Sequence, residues 1–517
     1  MHGDVTKIMK KILIRSGMRP TDVFTAEDMY LRDRTGFNNG NLAYQYSIYR
    51  TLFQEGTELV PDGLSSDPNR AARYNEEYDA YIIPLADAFR EDFRPQLRNY
   101  TALIKRLKIP VIVTGVGLRA DYEPKLEQGF PFDEDVKAFV TAVLEKSAKL
   151  GLRGQITADY LKQLGFKEQV DYEVIGCPSL YTFGSRLEIR DLNLQKDSLI
   201  AINASPVSSE TALQFLNQEV ISKHPNYYFI PQHLDEFHLM FAGGPDIASD
   251  RPSYPVSILD RYYNEGRIKY FTSMPSWYDF MRQAAFSIGP RLHGNVIPTL
   301  VGTPNISFVQ DARMRELAAY HRLPHVTTEE LANIQTLDEL LSQVDLKSAE
   351  TVQKQNFDRF VDFLDANEVP HIYTEDRDRK EAPLDAEIEA LTFPKSADPI
   401  TALTGEILYK RIQTASQLLK ERHQVKVDYE NHRRDYQIKQ LTAQLNQTKN
   451  HLTNEQKAKQ NLESKLSESE QKLMQANARL QKQQAEIKHY QGTLNRKAVR
   501  ATLKVTDSLA KLRGSNK

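Results

Sequence analysis

Short apolar runs alternate with amphipathic stretches along most of the chain, and that alternation sets the expected fold. Residues 79–85 (DAYIIPL), 110–115 (PVIVTG), 150–154 (LGLRG) and 172–175 (YEVI) read as short buried strands. Helical periodicity fills 93–107, 133–149 and 157–164. A second set begins at 198–205 (SLIAINAS). It continues with a helix at 210–221, a strand at 227–231, a helix at 257–264 and a strand at 268–272. A helix at 276–284 then leads into the run 285–288, a Gly289-Pro290 turn, a helix at 295–301 and a strand at 305–309. Helices at 312–321, 337–344 and 350–366 follow. Strands alternating with helices predict parallel sheets, so the expected class is α/β, with two Rossmann-like lobes and a cleft between them. Ahead of these elements, 1–35 reads as a helix with irregular chain, 37–41 (FNNGN) as a loop, and 42–53 as an amphipathic helix.

The same pattern places the boundaries. The lobes are expected at 1–183 and 184–368, with a polar linker at 369–404. Residues 406–491 contain neither glycine nor proline, which predicts one very long helix. A seven-residue column runs through Ile438, Leu445, Leu452, Lys459, Leu466, Leu473, Leu480, Ile487 and Leu494. Its companion column is more polar: Leu441, Thr448, Glu455, Leu462, Ser469, Ala476, Gln483 and Tyr490. A coiled coil of modest stability is therefore expected over 405–495, joining copies of the chain into a homo-oligomer. The last stretch, 496–517, is basic and carries a single acid, Asp507, which suits either a frayed, solvated tail or peripheral contact with a membrane surface.

Composition narrows the functional classes. The formal net charge is −2 and the pI about 6.7, so no global field points to nucleic acid. Cys177 is the only cysteine, which excludes intrachain disulfides and multi-cysteine zinc sites; it reads as a packed small residue. No secretory signal and no run of about 18 apolar residues is visible, so a cytoplasmic location is expected. No metal cluster stands out, and none is expected.

Ligands of open α/β sheets bind beyond the carboxyl ends of strands. That rule singles out Arg291, His293 and Gly294, where the 285–288 run turns into a helix. A helix start offers unpaired N–H groups, arginine a planar fork, and histidine a group that moves protons near neutral pH. The local chemistry suits a small, multiply charged anion. Strand ends also supply Arg153, Asn203, His233, Asp311, Arg313 and Glu316, with Arg313 and Glu316 spaced to pair on a helix. Asn41, in a Gly/Asn turn leading into a helix, is a weaker candidate of the same kind.

The run Gly289-Pro290-Arg291-Leu292-His293-Gly294, followed by Gly302-Thr303-Pro304 and Asp311, resembles the polysaccharide pyruvyl transferase family. Arg153-Gly154 with Thr157 and Leu161, Gly176-Cys177-Pro178-Ser179, and Asn39-Gly40-Asn41 extend the resemblance over residues 35–330. It implies a GT-B-like arrangement of the lobes. It further implies transfer of a pyruvyl group from phosphoenolpyruvate, as co-substrate without a cofactor, to a saccharide or lipid-linked saccharide as a ketal, in cell-surface or exopolysaccharide biosynthesis. Arg291, Leu292 and His293 would contact the donor, Arg291 and His293 would act in catalysis, and Arg153 is the best match for a second donor-binding arginine. Many members carry Gly-Asp where this chain has Gly40-Asn41, and Pro290 stands where Ser or Thr is common. Two other classes fit the residues: a GT-B-type glycosyltransferase using a nucleotide-sugar, with a deep pocket for base and ribose, and an inactive scaffold that acts through the coil. The location would be cytoplasmic, either free or peripheral at the inner face of the cell membrane.

Overall fold

In the computed structural model, which describes residues 10–514, the first sheet is centred on a strand, β1, at Lys11–Ile14. Sequence pattern places no strand here, because only Ile12, Leu13 and Ile14 are apolar in a basic neighbourhood. All three are buried. The neighbours are β2 (Glu58–Pro61), β3 (Ala80–Pro84) and β4 (Val111–Thr114), in the order β2-β1-β3-β4, and every pair is parallel. A parallel pair, β5 (Leu150–Leu152) and β6 (Tyr172–Val174), continues this lobe through a bridge between Val116 and Leu152.

The second sheet holds β7 (Ile200–Ile202), β8 (Tyr227–Phe229), β9 (Phe286–Gly289), β10 (Asn305–Val309) and β11 (His325–Thr327). Its order is β11-β10-β9-β7-β8, again parallel throughout. Every residue of β3, β4, β9 and β10 is buried, as expected of strands covered on both faces by helices. The fold is α/β, with two Rossmann-like lobes in a GT-B-like arrangement followed by a long helix. Strand order reverses between β1 and β3 and between β7 and β9, the points at which such sheets open a ligand crevice.

Several elements differ from expectation. Residues 268–272 make single bridges, Ile268 to Phe229 and Tyr270 to Ala397, because the segment touches the edge strand once and then departs. The helix expected at 257–264 is confined to Arg261–Asn264, since Asp260 ties down the N–H groups of Val256 and Ser257 in a turn ahead of it. An unanticipated helix, Leu234–Ala242, follows β8 directly. The Asn41–Leu52 helix is buried on nearly every face rather than amphipathic, with Gln45, Ser47, Arg50 and Thr51 inside.

Arg50 draws 369–404 onto the body. Its side chain is 2% exposed and donates to Asp385 (2.8 and 2.6 Å) and to the carbonyls of Thr182 and Lys380. Ile372, Tyr373, Ala382 and Leu384 are buried alongside. Asp385→Ala leaves that guanidinium without its counter-ion and is expected to cost about 3 kcal/mol of stability. Urea-melt midpoints of the variant and the parent measure it.

The chain divides into two units at Arg422 and His423. Within the first, the start of the Gly405–Leu494 helix docks through buried Ala415, through Arg411 stacked over Phe241, and through Arg422 against His238 (2.8 Å to Nε2). The second unit contains the rest of that helix and a further helix, Lys497–Gly514. No helix among the described residues is long and apolar enough to cross a membrane.

Candidate functional site

The site forms where β9 ends. A Cβ on Gly289 would lie 1.9 Å from the carbonyl oxygen of Asn203, so only glycine lets the two strand ends approach. Asn203 Oδ1 then accepts the N–H of Arg291 (2.7 Å), and its Nδ2 donates to Asn295 Oδ1 (3.2 Å). Asn203 therefore holds the turn; both amide atoms are engaged, and it is not the free cleft contact expected. The helix starts at Leu292, one turn earlier than its apolar pattern suggests, with Arg291 as its N-cap. His293 and Gly294 consequently lie in the first turn, where N–H groups lack helical partners. The Leu292 side chain is buried in the hydrophobic cluster that also holds Leu42 and Tyr44.

Arg291 reaches His233 Nε2 (2.8 Å) and Gln232 Oε1 (3.4 Å), both just beyond β8. The 38–40 loop is stitched to the same place: the Asn39 N–H donates to the Gln232 carbonyl (2.9 Å), and that of Leu234 to the Phe37 carbonyl (3.2 Å). A Cβ at Gly40 would lie 2.7 Å from His293 Nδ1 and 2.9 Å from Gln232 Oε1. The functional signal in Asn39-Gly40-Asn41 is thus the glycine. Asn41 turns away and donates to the Thr35 carbonyl (2.8 Å), bracing the loop rather than entering the cleft.

From the first lobe comes Arg153, 1% exposed, beyond β5. Its Nε donates to the Gly115 carbonyl (3.1 Å), and its guanidinium lies over Tyr44. Arg313 binds Asp87 (3.2 Å) and Asp311 (3.1 Å), while Asp311 also caps the Met314 N–H (2.8 Å). Arg313 and Glu316 do not pair. Glu316 is buried against the Gln155–Gln163 helix, accepting from the Thr157 N–H and hydroxyl (2.9 Å each).

Electrostatics distinguishes two kinds of arginine here. Burial would push the Asp87 carboxyl up, but Arg313, Arg90, Arg119 and Arg153 outweigh it and hold it at about 2. Arg313 is thereby neutralised. Among the described residues, Arg153 and Arg291 have no carboxylate within ion-pair distance. Buried Arg153 Nη2, His293 Nε2 and Gln232 Nε2 have no hydrogen-bond partner. Burial, reinforced by Arg153, Arg313 and Arg291, drives the His293 imidazole down to about 3; burial and Arg291 do the same to His233. Both are neutral at pH 7 in the ligand-free protein, so the near-neutral titration expected of His293 does not hold there: no nearby carboxylate is close enough to offset the arginines. Glu236, which accepts the N–H groups of Gln232 and His233, is pushed up by burial.

Burial also raises Glu316 to about 7, above its unfolded value, so the folded state holds the proton more tightly. The resulting stabilisation is full below about pH 4.5 and is lost as pH rises through 7. Glu316→Gln is expected to flatten the dependence of stability on pH between about 4.5 and 7, measured by urea melts of variant and parent.

Asp87, Arg119 and Glu236 were not anticipated. Asp87 closely follows a predicted strand, so the strand-end rule applied there would have found it; the contribution of Glu236 depends on a helix the pattern did not reveal. The family of sequences described as polysaccharide pyruvyl transferase matches residues 38–311, more than half of the chain. No curated protein matches. Solved structures with a similar fold include HepE of Anabaena in complex with UDP-glucose (13% identity, 70% of this chain and 98% of that one, TM-score 0.36). Another is the Methanocaldococcus jannaschii UDP-GlcNAc 2-epimerase with UDP-GlcNAc and UDP (11%, 69% and 99%, 0.37). A third is a Klebsiella pneumoniae protein of uncharacterised function (14%, 60% and 87%, 0.29). On the match over residues 38–311, which contains the Arg291-Leu292-His293 turn and every strand from β2 to β10, this chain belongs to the polysaccharide pyruvyl transferase family.

Proposed function

We propose that the chain transfers the pyruvyl group of phosphoenolpyruvate to a saccharide as a ketal, in the assembly of a cell-surface or exopolysaccharide. The observation that carries this reading is the pair of buried guanidinium groups, Arg153 and Arg291, that form no ion pair with a carboxylate among the described residues, beside orphaned polar atoms of Arg153, Gln232 and His293. Arginine stays protonated, so burying two without counter-ions costs stability until an anion arrives. Phosphoenolpyruvate brings about three negative charges as phosphate and carboxylate, groups that arginine forks grip in bidentate fashion. The first-turn N–H groups of the Leu292–Leu300 helix add donors.

In the reaction, one saccharide hydroxyl adds to the enol carbon that bears phosphate, while a proton goes to the terminal methylene and makes it a methyl group. The second hydroxyl displaces phosphate at the same carbon and closes the ketal, and its proton leaves with the phosphate. His293 Nε2 carries the proton: neutral in the free protein, it becomes a stronger base once a bound dianion offsets the surrounding arginines. No cofactor is needed beyond phosphoenolpyruvate as co-substrate.

Calorimetric titration with phosphoenolpyruvate and with a panel of nucleotide-sugars tests the reading. Saturable binding of phosphoenolpyruvate supports it. Binding of a nucleotide-sugar instead overturns it in favour of glycosyl transfer, and silence from both by folded protein points to a scaffold. We further place a lipid-linked acceptor at an anionic membrane face, contacted by the Lys497–Gly514 helix. Lys497, Arg500, Lys504 and Lys511 lie on that helix, and Leu503, Val505 and Leu509 are exposed. Co-sedimentation with anionic vesicles at low salt, lost at high salt, is expected; no co-sedimentation at low salt sinks the placement.

A further inference from the structure

We propose that residues 445–494 pair with the same segment of a second copy of this chain, in parallel and in register, as a two-stranded coil. The inference concerns the second unit and does not rest on the donor reading. Leu445, Leu452, Leu466, Leu473, Leu480, Ile487 and Leu494 lie on one continuous helix and are each more than half exposed within the chain. A seven-residue spacing forms a stripe that only a helix of the same spacing covers along its whole length, and a second copy has that spacing by construction.

Charge sets the direction. With Leu445 at position a of the heptad, the charged g positions are Lys465, Lys472, Arg479 and Glu486, and the charged e positions are Lys449, Glu463 and Glu470. A parallel pair faces g of one chain with the following e of the other, so Lys465 meets Glu470 twice across the dimer. No such parallel contact between 451 and 491 sets like charges together. An antiparallel pair faces g with g and e with e, which stacks the basic run on itself and the acids on each other. The polar positions of the seam fit the same arrangement. Glu455 at d and Lys459 at the next a occupy adjacent layers, so in a parallel pair four side chains of alternating sign close a ring and fix the register. In two strands the Lys459 stem lies along the seam and its ammonium reaches the rim; more strands would enclose it. One end of the pair then carries both residue-445 ends, and the other both basic helices.

The test uses the full chain, whose only native cysteine is buried. Leu452→Cys and Leu480→Cys are each expected to form an interchain disulfide with themselves under mild oxidation. Light scattering of the parent should give twice 59.3 kDa as concentration rises. Cross-linking only when the two variants are mixed would show an antiparallel pair and overturn the proposal. A mass that stays at one chain, or reaches three or more, overturns it as well. Lys465→Glu should raise the dimer dissociation constant roughly threefold to tenfold, and adding Glu470→Lys should restore it. Failure of the double variant to recover refutes the g-to-e pairing.

Discussion

The Arg153→Ala/Arg291→Ala double variant is expected to lose phosphoenolpyruvate binding and pyruvyl transfer while keeping its fold. Each guanidinium supplies charge-assisted hydrogen bonds worth roughly 1.5–3 kcal/mol apiece, so each single variant should weaken binding by about 100-fold. Both changes together should take transfer below detection. The discriminating readout is stability without ligand. A buried arginine with a carboxylate partner, such as Arg50 with Asp385, costs about 3 kcal/mol of stability when the pair is broken. Arg153 and Arg291 have no such partner, and Arg153 makes its one hydrogen bond to a backbone carbonyl. Removing them deletes buried charge that lacks a direct ion pair, so the ligand-free melting temperature should hold or rise. The parent, in contrast, should gain about 2.7 kcal/mol at a phosphoenolpyruvate concentration 100 times its dissociation constant. Arg291→Lys keeps the charge but not the fork and should recover only part of the affinity. A ligand-free melting temperature that falls steeply in the double variant would show these arginines to be structural and remove the basis of the functional reading.

The contrast between those arginines marks what was legible in the sequence and what was not. Buried parallel strands such as β3, β4 and β10 announce themselves as unbroken apolar runs, and the strand-end rule then finds Arg291, His293 and Arg153 without any contact being known. The central strand β1 stays hidden, because three apolar residues between basic flanks carry no period. The roles of residues at strand ends depend on where their atoms go. Asn203 and Asn41 have the right residue type in the right kind of place, yet the first is consumed by the Arg291 turn and the second by the Thr35 carbonyl. Glu316 is spaced to pair with Arg313 on its own helix but is claimed by Thr157 of another. Local spacing cannot settle such competitions, since the winning partners lie more than 80 residues away in sequence for Asn203 and Glu316. Likewise, the low pKa of His293 comes first from burial and then from Arg153, Arg313 and Arg291, which separate strand ends deliver.

Gly40→Ala is expected to cost at least about 100-fold in turnover and roughly 1–3 kcal/mol of stability, with the fold kept. Gly40 has φ −58° and ψ −21°, a helical conformation that alanine adopts freely, so the backbone has no reason to resist the change. What resists is the space. The new methyl would sit 2.7 Å from His293 Nδ1, 2.9 Å from Gln232 Oε1 and 3.0 Å from Asn38 Oδ1. Asn38 is held by its bridge to His233 and by the Gly40 N–H (2.9 Å), and Gln232 is buried, so neither retreats at low cost. The imidazole must shift or the 38–40 loop must lift from the second lobe, and displacement of a reacting group by about 1 Å is enough for a 100-fold loss. Because Arg153 and Arg291 stay in place, phosphoenolpyruvate should still bind within a fewfold of the parent value. The effect therefore falls on kcat rather than on donor affinity, and steady-state kinetics beside a calorimetric titration separates the two. Loss of donor binding in step with turnover would instead mean that the loop shapes the donor pocket itself. Unchanged turnover would mean that the position of His293 against this glycine has no part in the chemistry.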